Sequence, residues 1–212
     1  ASQNETLASD SGYDHWKSRD YYGAEFHNVL LIDGEGPAQE TPGELSDVVL
    51  EDPVRHAKVT TRYGDCTLRR MLALVRGRYV LVADCITAGS EHEYTWQARS
   101  TCPPGAAGSS VSAREATWPG LSAEGWRDLR PGRARLTTVV PPFCSLRVEP
   151  GRWRPISGQP ELANQVARAS WRAVDSVALF ALLPDDAGSP ELSWGQWTGR
   201  TSRSAGQGGR IG

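Results

Sequence analysis

The stretch "CTLRRMLALVRGRYVLVADCITAG", residues 66–89, decides the fold. Arg76-Gly77 splits it into two short apolar runs, which predicts two strands about a turn. The second run, "RYVLVADCI", is rich in Val and Ile and predicts a strand buried on at least one face. Working outward, "NVLLIDG" (28–34), "KVTTRYG" (58–64), "HEYTWQARS" (92–100), "RARLTTVVPPF" (133–143), "CSLRVEPG" (144–151) and "SVALFALLPDD" (176–186) read as further strands. "ELANQVARASWR" (161–172) has a spacing that also fits a helical turn or two, and is read as strand. A hydrophobic period near two, with Gly, Pro and Asp between the runs, points to an antiparallel sandwich or barrel rather than to α/β layers. Residues 102–132, dense in Gly, Pro and Ser, are expected to form one long loop. The tail 199–212 is expected to be flexible, and no internal repeat is visible.

Composition narrows the function classes. A chain of 212 residues suffices for one large domain or two small ones. The 23 basic and 25 acidic residues leave a net charge of −2, which gives no electrostatic case for nucleic acid or an anionic membrane. No apolar run approaches the ~20 residues of a membrane helix. All the basic residues except Lys17 and Lys58 are arginines, a usage that fits bidentate carboxylate binding and equally fits a genomic habit.

The chain starts at Ala1 and its only methionine is Met71, so an N-terminal part, a signal peptide or something larger, is expected to have been removed. Secretion or a periplasmic location is the matching expectation. Cys66, Cys85, Cys102 and Cys144 lack a CxxC spacing, which argues against a zinc knuckle. Two disulfides are expected, with Cys102–Cys144 stapling the long loop; free buried thiols are the alternative.

One segment carries chemistry: "LASDSGYDHWKSRDYYGAEFHNVLLIDGEGP", residues 7–37. It runs Asp10-Ser11-Gly12, Tyr13, Tyr21-Tyr22, His27-Asn28 and Asp33-Gly34. In that order it resembles the C-terminal β-sandwich of the heparinase II/III-like polysaccharide lyases. "YVLVADCITAGSEHEYTW" (79–96) and "ARASWRAVDSVALFALLPDD" (167–186) resemble later strands of the same family. The resemblance implies an all-β antiparallel sandwich over residues 1–198. It implies an N-terminal α-helical toroid as partner, and an acidic, uronic-acid polysaccharide held in the cleft between the two. It also implies zinc or another divalent cation, with Asp10 and His27 among its ligands, a donor mixture that suits zinc. The family's His-x-His-x-Asp strand and its toroid have no counterpart in residues 1–212, and the histidine that often follows its Trp is replaced by Gln97-Ala98-Arg99.

Lyases of this kind neutralise a uronate carboxylate, remove the adjacent proton and protonate the leaving oxygen. The resemblance places Tyr13 in the cleft as the proton-transfer residue; a packed turn tyrosine is the plainer reading. His92 and Trp96 share one face of a strand and are candidates for substrate binding, with a core tryptophan as the alternative. Asp10 as a ligand competes with capping the turn at Gly12, and His27 with a buried histidine bonded to backbone. His15 is a further candidate for the absent ligand. Tyr21 and Tyr22 read as packing residues, Asp33 as a turn former, Asp84 as a turn or loop anchor at a strand end, and Asn28 as a local backbone partner. Two functions follow: the sandwich part of a polysaccharide lyase, or a non-catalytic exported sandwich that binds carbohydrate or protein.

Overall fold

The computed structural model describes residues 5–6, 8, 23–38, 41–122, 130–153 and 161–184. Tyr13, Asp10, His15, Tyr21, Tyr22 and the tail 199–212 lie outside the described residues. The described elements are β1 (Glu5–Thr6), a single 3-10 turn (Ala24–Phe26), β2 (Leu30–Ile32), β3 (Glu44–Val49), β4 (Val54–Tyr63), β5 (Cys66–Val75), β6 (Tyr79–Thr87), β7 (His92–Arg99), β8 (Ser110–Val111), β9 (Glu115–Ser122), β10 (Arg130–Val139), β11 (Ser145–Trp153), β12 (Leu162–Ala173) and β13 (Ser176–Pro184). They form two antiparallel sheets. The large one runs β1-β9-β10-β13-β6-β5-β4-β3, with β8 beside β9; the small one runs β11-β12-β7-β2. The expected all-β sandwich is the fold, and among the described residues no helix is long and apolar enough to cross a membrane.

The hairpin at 66–89 forms as its sequence requires. Arg76 and Gly77 both take positive φ, 50° and 63°, a left-handed pair that matches strand twist, and the Arg78 N–H closes the turn on the Val75 carbonyl. Gly64, with φ 59°, opens the two-residue turn from β4 into β5. Core-side residues alternate along the strands: Leu68 on β5, Val82 and Ile86 on β6, Ala178 and Phe180 on β13. Facing them are Tyr94, Trp96 and Ala98 on β7 and Ala167, Ala169 and Trp171 on β12.

Three expectations are corrected. The segment 102–132 is not one loop, because β8 and β9 lie within it. Trp118 is fully buried opposite Leu136 of β10, and Pro119-Gly120 masks the alternation in the sequence. Asp84 does not end its strand: β6 continues to Thr87, and Asp84 sits mid-strand beside Arg70 of β5. Neither expected disulfide forms; all four cysteines are free thiols. Cys102 contacts the Ser109 hydroxyl and the Gln165 side-chain amide through its sulfur, and burial pushes the Cys144 thiol up to about 12. Alkylation of denatured protein without reductant is therefore expected to add four adducts per chain; unchanged mass would restore the bridges.

The large sheet outreaches the small one. Leu45 and Leu72 lie by register on its core-side face, yet are 63% and 50% exposed, because among the described residues no strand of the small sheet covers β3 to β5 there. Val48 and Leu50 add exposed apolar surface at the same edge.

Candidate functional site

β7 is buried on both faces. One face meets the core; on the other, Thr95, Gln97 and Arg99 are covered without being apolar. The segment from Gly23 to Val29 supplies that cover, and the polar side chains are its fasteners. Gln97 donates its amide N–H groups to the carbonyls of Ala24 and His27, both at 3.3 Å. The Arg99 guanidinium donates to the Glu25 carbonyl at 2.9 Å and lies over the Phe26 ring, which Arg152 approaches as well. The Asn28 side-chain oxygen accepts the Arg99 backbone N–H at 2.8 Å and so prolongs the β2–β7 ladder past Leu30. Asn28 does bond backbone, but that of the neighbouring strand rather than its own locality.

His27 is thus held between a 3-10 turn and β2, half-buried, with its carbonyl on Gln97. Gln97 and Arg99 are the residues that grip the His27–Asn28 segment. From the other sheet Arg70 reaches the Asn28 carbonyl at 3.5 Å. The same guanidinium makes a bidentate pair with Asp84, at 2.7 and 2.8 Å, inside the core. Burial favours loss of the Arg70 proton, and the Asp84 carboxylate more than offsets it, so the guanidinium stays charged.

The outer face of the small sheet is rich in arginine. By register Arg147 of β11, Arg168 of β12 and Gln97 of β7 stand in one row. Directly opposed like charges destabilise a sheet unless an anion lies between them. Glu149 reaches Arg168 at 3.4 Å, and Glu93 reaches Arg172, further along β12, at 3.0 Å.

Trp96 lies in the core, 3% exposed, stacked on Phe180 at 4.3 Å with the rings nearly parallel. It presents no ring face to solvent. His92, on the same face of β7, stands at the strand's end where the core opens. Its Nδ1 donates to the Asp33 carboxylate at 2.6 Å, and its Nε2 lies 3.2 Å from the Ser90 hydroxyl and 3.8 Å from Asp65. The hydrogen bond with Asp33 raises the His92 pKa above its ordinary value, and the same bond lowers that of Asp33. Asp33 forms its expected turn, at φ 53° before Gly34, and its second oxygen accepts the Glu93 backbone N–H. Its part in orienting His92 is not visible in the sequence, where the two stand far apart. Cys66, fully buried beside Asp65, donates its thiol to that carboxylate at 3.7 Å, and burial pushes the thiol up to about 11. Among the described residues, Asp65, Cys66 and His92 are the group whose ligand atoms come together closely enough to hold a metal ion; His27 is not part of it.

No family model matches this sequence, and no curated protein matches it. Solved structures do match in fold. The heparan sulfate lyase of Pedobacter heparinus superposes with a TM-score of 0.68 at 12% identity. A heparinase III gene product gives 0.66 at 13%, and a second heparinase III structure 0.64 at 14%. Each alignment covers 84% of this chain and 28% of the neighbour, so the chain spans under a third of the length of the proteins it resembles.

Proposed function

We propose that this chain is the β-sandwich part of a polysaccharide lyase that cleaves a uronic-acid polymer by β-elimination, with an α-helical toroid part completing the cleft. The observation that carries the reading is the fold shared with a heparan sulfate lyase and heparinase III over 84% of the chain. Two features support it. The exposed core-side face around Leu45 and Leu72 is the kind of apolar surface that a further part of a protein covers. The row of Arg147 and Arg168 beside Gln97 offers guanidinium donors to carboxylate or sulfate groups of an acidic polymer.

Within this proposal Tyr13 serves in proton transfer near the leaving glycosidic oxygen, and Asp10 and His27 supply two donors for a divalent cation. When bound, such a cation would strengthen the local positive field at the cleft. His27 is fixed in place by Gln97 and Arg99 whatever it ligates. An exported chain, secreted or periplasmic, is where such polymers are met.

The test is the native mass of the purified protein, followed by an assay for unsaturated uronate. Co-purification of a helical partner, with growing absorbance on heparan sulfate or another glycuronan, is the expected result. Tyr13→Phe should then lower the rate roughly 10²- to 10⁴-fold. A helical complex inert on every uronate polymer would overturn the reading. Retention of an acidic polymer by the chain alone, without cleavage in any assembly, would favour the carbohydrate-binding alternative.

A further inference from the structure

We infer that Asp65, Cys66 and His92 form a metal site, of the zinc class, at the end of the sandwich where the two sheets meet. The inference does not rest on the lyase reading. Asp65 and Cys66 come from the β4–β5 hairpin of the large sheet, and His92 opens β7 of the small one. Their ligand atoms lie within 4.8 Å of one another. Tetrahedral zinc with bonds of about 2.0–2.3 Å sets its ligands roughly 3.3–3.6 Å apart, so closure needs a shift on the order of 1 Å. Asp65 is already near that spacing, 3.7 Å from the Cys66 sulfur and 3.8 Å from His92 Nε2, so the gap to close is the one between Cys66 and His92, whose ring stands at the open end of β7.

The surroundings fit a ligand set. The carboxylate of Asp33 accepts a hydrogen bond from Nδ1–H of His92, which leaves Nε2 as the ligating atom, 3.2 Å from the Ser90 hydroxyl that a metal would displace and 3.8 Å from Asp65. A carboxylate behind a ligating histidine is the usual arrangement in metal sites, since it raises the basicity of the ring. Thiolate, imidazole and carboxylate together are a borderline-soft donor set that suits zinc over magnesium or calcium. With thiolate and carboxylate both ionised, a divalent cation makes the three-ligand site neutral. The Cys66 thiol proton, now shared with Asp65, leaves as the sulfur binds the metal. His92 is 13% exposed and Asp65 faces solvent, so the fourth position is open to water.

The competing occupant is a proton: an imidazolium held between Asp33 and Asp65. Cobalt(II) titration of the chelator-treated chain separates the two, because thiolate ligation gives an intense near-ultraviolet charge-transfer band. One equivalent is expected to raise that band, and zinc to abolish it. Cys66→Ser should remove the band while Cys144→Ser keeps it. Asp65→Asn, on an exposed turn, should weaken cobalt binding about tenfold or more, and Asp33→Asn about 10- to 100-fold. A cation on the carboxylate of Asp10 and the imidazole of His27 would give no thiolate band from those two donors. Cobalt binding without the charge-transfer band, or a band that survives Cys66→Ser, would overturn the site and leave the lyase reading untouched.

Discussion

Replacing Asp84 with alanine is expected to destabilise the chain by about 3–5 kcal/mol. Asp84 is fully buried, and its two oxygens take the Arg70 guanidinium in a bidentate grip. Removing the carboxylate leaves a cation in the core with no opposing charge, which costs far more than the pair itself contributes. The companion variant decides the mechanism. Arg70→Met combined with Asp84→Leu removes both charges, and should recover most of the loss, since buried pairs often match apolar residues of similar volume. Urea midpoints with unchanged slope would report both. A loss under about 1 kcal/mol for Asp84→Ala would mean that water reaches Arg70 and that the pair is not a core element. The double variant also tests position. Arg70 reaches the Asn28 carbonyl from the opposite sheet, so its removal should loosen the His27–Asn28 segment even where stability returns. Faster amide exchange at Arg99, whose N–H bonds Asn28, is the signal to follow.

That ion pair shows which part of the molecule its sequence could reveal. The alternation in "RYVLVADCI" and the Arg76-Gly77 turn act over a few residues, and local chemistry was enough to place β5 and β6. β9 escaped because Pro119 and Gly120 interrupt it, and only its pairing with β10 holds it as a strand. β3 is hidden for another reason: it is an exposed edge strand, with a bulge near Asp47 and no buried face to set a period. Site chemistry was less legible still. Asp33, Asp65, Cys66 and His92 lie on three separate turns and strand ends; the registers within each sheet and the packing of one sheet on the other bring them to one end of the sandwich. His27-Asn28 is visible as a motif, whereas Gln97 and Arg99, which hold it, carry no local signal of that role. Their burial on a polar face could have been suspected only from knowing that segment 23–29 covers β7.

Trp96 separates a packing role from a recognition role. Trp96→Ala is expected to cost about 3–5 kcal/mol, the range for emptying a buried aromatic site. The ring is 3% exposed and stacked face to face on Phe180, which joins the two sheets at the centre of the core. Trp171 and Tyr94 pack around the same point, so the cavity has aromatic walls on several sides and little freedom to collapse. Trp96→Phe keeps a ring there and should lose less. The two variants, compared well below their melting temperatures, then test whether this residue touches sugar. A tryptophan that stacks on a pyranose ring would show weaker polymer retention in Trp96→Phe with stability nearly intact. A core tryptophan gives the reverse: lowered stability and an unchanged salt concentration for elution from immobilised heparan sulfate. The reverse is expected. Any change in retention should instead follow Arg147→Ala and Arg168→Ala, whose side chains occupy the outer face of the small sheet, on the opposite side of the sheet from Trp96. A retention defect in Trp96→Phe without loss of stability would place the polymer inside the sandwich and contradict the burial of this ring.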